Sequence, residues 1–123
     1  MNCPLELEFH NTRPIGAIET RVRQELAELE KFYDHIARCR VDVELPHHRR
    51  KGSLSEVRIE LRVPAEDAAI APAIRGAVLV DGNKECIQVT AHHKDPALAT
   101  HEAFTTLRRR VEDFTRVRTG SNG

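Results

Sequence analysis

Tryptophan is absent and aromatic rings are scarce: Phe9, Phe32, Tyr33, Phe104 and Phe114 make up 4% of 123 residues. Most of these rings follow helix or strand periods and read as core, so single-strand binding by base stacking has little support. Long apolar runs are missing as well. No segment approaches the roughly 20 apolar residues of a membrane span, and the start, MNCPLELEF, has no basic leader region. Cysteine is limited to Cys3, Cys39 and Cys86, an odd number, far apart, with no CxxC pair. That excludes a disulfide framework and reads as reduced thiols in a cytosolic protein. No GxGxxG, P-loop or GxSxG motif occurs, and no base is spaced to activate Cys39 or Cys86. The expectation is a soluble, cytoplasmic, non-enzymatic protein with no cofactor, no metal, no small-molecule substrate and no membrane partner.

An excess of either charge is also lacking. Nineteen basic and nineteen acidic residues cancel, whereas a dedicated nucleic-acid module usually carries a clear positive excess. Any RNA contact must therefore come from local patches.

What the chain does have is clean periodicity. Leu5, Leu7 and Phe9 alternate with Glu6, Glu8 and His10, as in a strand with one buried face. After a punctuating stretch from Asn11 to Gly16, residues Ile18, Val22, Leu26, Leu29, Tyr33 and Ile36 fall on one side of a helix of about 20 residues. Its outer face carries Glu19–Arg23 and Arg21–Glu25 at i,i+4, pairs that usually contribute only a few tenths of a kcal/mol. A second strand sets Val41, Val43 and Leu45 against Arg40, Asp42 and Glu44, and Pro46 ends it. The segment PHHRRKGS then reads as an exposed basic hairpin loop. The third strand has the best alternation, Val57, Ile59, Leu61 and Val63 against Glu56, Arg58, Glu60 and Arg62. From Pro64 to Lys84 the pattern blurs into an insertion with room for a helical turn and an extra short strand. Strand character returns from Glu85 to Ala91, with Ile87 and Val89 inward.

The last element is the most informative. Asp95-Pro96 is a helix start, since Asp95 can accept from the first free amides and Pro96 lacks an amide that would be unpaired there anyway. Phe104, Leu107, Val111, Phe114 and Arg118 recur at three and four, so Arg108, Arg109, Arg110 and Arg116 fall mostly outside the apolar stripe. Guanidinium forks on a rigid helix suit phosphate oxygens, and nucleic acid is the first partner to consider. The plainer reading of such a charge run is a solvated helix face.

The order β-α-β-β-β-α, with each strand apolar on one face only, predicts an α+β two-layer sandwich. Two helices cover one face of a four-stranded mixed sheet, and the other face is charged and wet. The first crossover makes strands one and two parallel. Residues 1–118 form one domain, with 64–84 inserted and 119–123 a disordered tail.

The runs LEKFYDHI, EVRIELRVP and AFTTLRRRVEDF, in this order and at these spacings, resemble the ribosome hibernation promoting factor and ribosome-associated inhibitor family. Its members are also called ribosomal subunit interface or sigma-factor modulation proteins. The likeness covers nearly the whole chain apart from residues 64–84. It implies a protein that docks on the small ribosomal subunit, in the channel for messenger and transfer RNA, and idles the ribosome under stress. The positions it implies for RNA binding are Arg21, Arg23 and Lys31 on the first helix, His48, Arg49, Arg50 and Lys51 in the loop, and Arg108, Arg109 and Arg116 on the second helix. Glu25 and Glu28 stand where members commonly carry lysine, which makes part of that surface acidic. The longer C-terminal extension that pairs ribosomes has no counterpart, so the likeness is to the short form.

Two other readings compete. One is a diverged member of the fold that no longer docks on ribosomes and binds a protein through its mixed-charge sheet face or its insertion. The other is a histidine-based metal or pH sensor using His47, His48, His92, His93 and His101 with Cys39 or Cys86. Adjacent histidines do not easily face one point and no HxxxH spacing occurs, so they read better as solvated loop residues.

Overall fold

A computed structural model describes residues 4–33, 36–46, 52–63, 77–80 and 83–120, with the backbone alone for 32, 77–80, 83–86 and 113–120. Its elements are β1 (Leu5–His10), α1 (Gly16–Phe32), β2 (Arg38–Glu44), β3 (Ser55–Arg62), β4 (Ala77–Val80), β5 (Asn83–His93) and α2 (Pro96–Gly120). The sheet runs β1-β2-β3-β5-β4, parallel between β1 and β2 and antiparallel elsewhere. The expected mixed sheet and two-layer α+β sandwich are there. β4, within the segment read as an insertion, adds a short edge strand beside the four expected ones.

Period-two alternation decides the register. Val41 faces Ile59 and Val43 faces Val57 between β2 and β3, while Ile59 faces Val89 and Leu61 faces Ile87 between β3 and β5. All of these are buried, with Ile18, Val22, Leu26 and Leu29 of α1 and Ala99, Ala103, Phe104, Leu107 and Val111 of α2, in one core. A one-residue slip of a strand would turn its inward side chains to water. Cys39 is buried in the same core. Leu5, Leu7 and Phe9 are only partly covered, since β1 lies at the sheet edge.

α1 is shorter than the apolar stripe suggested. The Tyr33 amide still donates to the Leu29 carbonyl at 3.1 Å, but Tyr33 itself is extended. At Ala37, one residue before β2, the chain has already reached the sheet, its amide 2.8 Å from the Arg62 carbonyl. Tyr33 and Ile36 are therefore buried as part of the connection into β2. At the other end of the β1–β2 pair Asn11 adopts a left-handed conformation, φ 63°, which asparagine tolerates better than most residues. There its side-chain Nδ2 donates to the carbonyls of Leu45 and Pro46 at 3.1 and 2.9 Å, fixing the exit of β1 against the exit of β2.

The start of α2 forms as expected, with Asp95 Oδ1 accepting from the Ala97 amide at 2.9 Å. The helix runs to Gly120, two residues beyond Arg118. Residues 64–76, 81–82 and 121–123, from the expected insertion and tail, lie outside the described residues. Among the described residues no helix is long and apolar enough to cross a membrane.

Candidate nucleic-acid interface

α2 lies over β3 and β5 and touches α1, so the two helices expose one joint outer surface away from the sheet. Consecutive helical residues point about 100° apart, and Arg108, Arg109 and Arg110 consequently have three different environments. Arg110 reaches down to the sheet, where its Nη1 donates to the Gln88 carbonyl at 2.9 Å. Gln88 is one position past Ile87, which pairs with Ala77 at the start of β4. Arg108 is half-buried and turns toward α1, its Nη2 3.9 Å from Glu25 Oε1. Arg109 is exposed.

Glu25 is the hinge point of this surface. It flanks the buried stripe Val22, Leu26 and Leu29, which points it at α2, and its side chain is 16% exposed. His101 and Arg108 stand seven positions apart, two helical turns, and so present the same side of α2. Both converge on the one carboxylate, with His101 Nδ1 3.3 Å from Oε2. Of the two expected i,i+4 pairs, Glu19–Arg23 forms at 3.2 Å, while Glu25 takes partners from α2. A shallow groove lined by Arg21, Gln24, Glu25, Glu28 and His101 marks the seam.

The candidate RNA-binding residues thus separate. Arg23 is paired with Glu19, and Lys31 with Glu28 at 3.2 Å. Arg21 and Arg109 are exposed, with no carboxylate partner among the described residues. His48, Arg49, Arg50 and Lys51 lie outside the described residues, and of Arg116 only the backbone is described. Glu25 and Glu28, the acidic residues on a surface expected to be basic, are each engaged by a basic neighbour. The link from Glu25 to His101 spans 76 positions, and no local sequence signal could have shown it. Arg110 as a helix-to-sheet tie was equally invisible.

The outer sheet face is a different surface. Arg40 Nε and Nη2 hold both oxygens of Asp42 at 3.0 and 3.3 Å, and His10 Nε2 lies 2.9 Å from Oδ1. Arg40 also approaches Glu6 and Glu8 at 3.8 and 3.7 Å. Burial works against the charge on Asp42, but the hydrogen bonds from Arg40 and His10 outweigh it and hold the carboxyl below its ordinary range. The hydrogen bond to Asp42 is likewise the main reason the His10 pKa is raised. Glu8, His10 and Asp42 bring ligand atoms within 4.8 Å of one another, with the Arg40 guanidinium already seated among the carboxylates. Among the described residues, the histidines weighed as a metal set do not converge: His92 is 3.1 Å from Glu56, His93 Nδ1 accepts from the Asp95 amide at 3.0 Å, and His101 is on Glu25. His47, His48 and the Cys86 side chain lie outside what is described.

Solved structures share the fold, two of them as follows. The N-terminal domain of Protein Y from Thermus thermophilus matches over 93% of this chain and 99% of its own, with a TM-score of 0.64 and 20% sequence identity. A ribosomal subunit interface protein from Coxiella burnetii matches over 90% of this chain and 96% of its own, with a TM-score of 0.65 and 9% identity. At such identities the likeness is one of fold, and it is with the kind of protein the sequence resembles. No family model matches the sequence, and no curated protein gives a significant match.

Proposed function

We propose that this chain, which shares its fold with a ribosomal subunit interface protein, is a ribosome-associated translation inhibitor that binds RNA of the small subunit in the messenger and transfer RNA channel under stress. The fold is the observation that carries the reading. It sets α1 and α2 side by side as one solvent-facing ridge, with Arg21 and Arg109 exposed and without a carboxylate partner among the described residues. Such a ridge suits recognition of folded RNA by shape and backbone, which needs no stacking aromatics. The protein then acts by occupying a site, with no catalysis.

A titration of the purified protein into a cell-free translation reaction tests this. Dose-dependent inhibition, weakened by Arg109→Glu, is the expected result, and unchanged translation at a large excess over ribosomes overturns it. The ion-paired outer sheet face supports a second reading, a protein-interaction module. Binding through that reading would persist in Arg109→Glu and be lost on disrupting Arg40.

A further inference from the structure

We propose that Glu25 is a positioning residue that withholds Arg108 from RNA and thereby sets how tightly the α1–α2 ridge grips a polyanion. The inference rests on the RNA-binding reading and deepens it. Glu25 sits in the seam between the helices with its side chain only 16% exposed, its carboxylate facing His101 at 3.3 Å and Arg108 at 3.9 Å. Arg21, Gln24 and Glu28 complete the lining of the groove.

A guanidinium already facing a carboxylate gives up part of that attraction when it turns to a phosphate. The carboxylate left behind also repels the approaching backbone. Arg108 is 43% exposed, so the pair is within reach of solvent and a ligand can compete for it. Arg109, one residue on, has no such partner among the described residues and contributes in full. The seam therefore holds one arginine in reserve, released only where RNA fits closely enough to displace Glu25. Loosely held single strands gain nothing from Arg108, and specificity for a shaped site rises at the expense of general affinity.

A double-mutant cycle measures this. The wild-type chain, Glu25→Gln, Arg108→Gln and the double variant are titrated by fluorescence anisotropy against a labelled oligouridylate and against isolated small subunits, at several salt concentrations. Freeing one arginine for a single-strand phosphate should steepen the slope of log affinity against log salt by about 0.7, roughly fivefold tighter oligouridylate binding at 0.1 M salt. We expect Glu25→Gln to show that gain, Arg108→Gln to change little in the wild-type background, and the double variant to lose the gain. Glu28→Gln removes a negative charge from the same face but not from Arg108, so its effect should be the same with or without Arg108. Thermal melts of every variant confirm that each is folded.

An equal effect of Arg108→Gln in both backgrounds overturns the proposal, because Glu25 would then act only through net charge. A coupled cycle on oligouridylate with no variant binding small subunits leaves Glu25 in this role and refutes the ribosomal reading instead. No binding to either probe at low salt overturns both.

Discussion

The three consecutive arginines of α2 should respond to substitution in different ways, and Arg109 and Arg110 give the sharpest contrast. Arg109 is exposed and has no carboxylate partner among the described residues, so Arg109→Glu should leave stability within about 0.5 kcal/mol of the parent. Taking the duplex DNA value for folded RNA, one phosphate contact carries about 0.9 in the salt slope. Its loss weakens binding about eightfold at 0.1 M salt by that term alone, and the new carboxylate adds repulsion. Arg110 donates to the Gln88 carbonyl at 2.9 Å. Arg110→Ala removes a charged donor from a half-buried contact, which should cost about 1 kcal/mol of stability with a much smaller effect on RNA. Urea denaturation and anisotropy titrations on small subunits, run on both variants, separate the two effects. Equal loss of binding in both, with equal stability, would refute the assignment of Arg109 to the ligand and Arg110 to the fold.

Three further outcomes follow from the architecture. Asp95→Ala removes the acceptor for the Ala97 amide and should lower stability by about 1 kcal/mol in urea titrations. Leu107→Ala, at a fully buried core position, should cost about 2–5 kcal/mol by the same method, with unchanged stability contradicting the packing of α2 on β3 and β5. The third concerns pH: His10 has a raised pKa in the fold, so the stability it adds is present below the ordinary histidine value of about 6.5 and fades as pH rises through its folded value. Asp42, with a lowered pKa, adds stability that is present above the ordinary carboxyl range and lost as pH falls through its folded value. Stability measured across pH should therefore flatten near neutrality in His10→Gln and at acid pH in Asp42→Asn, and an unaltered profile in both would count against the β1–β2 network.

Much of the fold was legible because burial on one side of a sheet imposes a period of two, and Val57, Ile59, Leu61 and Val63 display it without interruption. The Asp95-Pro96 start was legible for an equally local reason, one side-chain oxygen and one missing amide. β4 was legible only as room for an extra short strand, because four residues beside an Ala-rich stretch carry too short a pattern to fix its place and bounds. The end of α1 misled the eye, as Tyr33 and Ile36 continue the apolar spacing while the backbone has already turned to meet Arg62. For the candidate site, the sequence showed which residues are basic but not which are committed. Arg108, Arg109 and Arg110 look alike in a row, and their separation depends on Glu25 and Gln88, which only the packed helices and sheet bring near.

Co-sedimentation of the purified chain with isolated small ribosomal subunits, at about 50 and 200 mM salt, tests the central claim most directly. Comigration at low salt that weakens steeply at the higher concentration is the result expected of a phosphate-binding ridge. No comigration at either concentration, or comigration indifferent to salt, would contradict it.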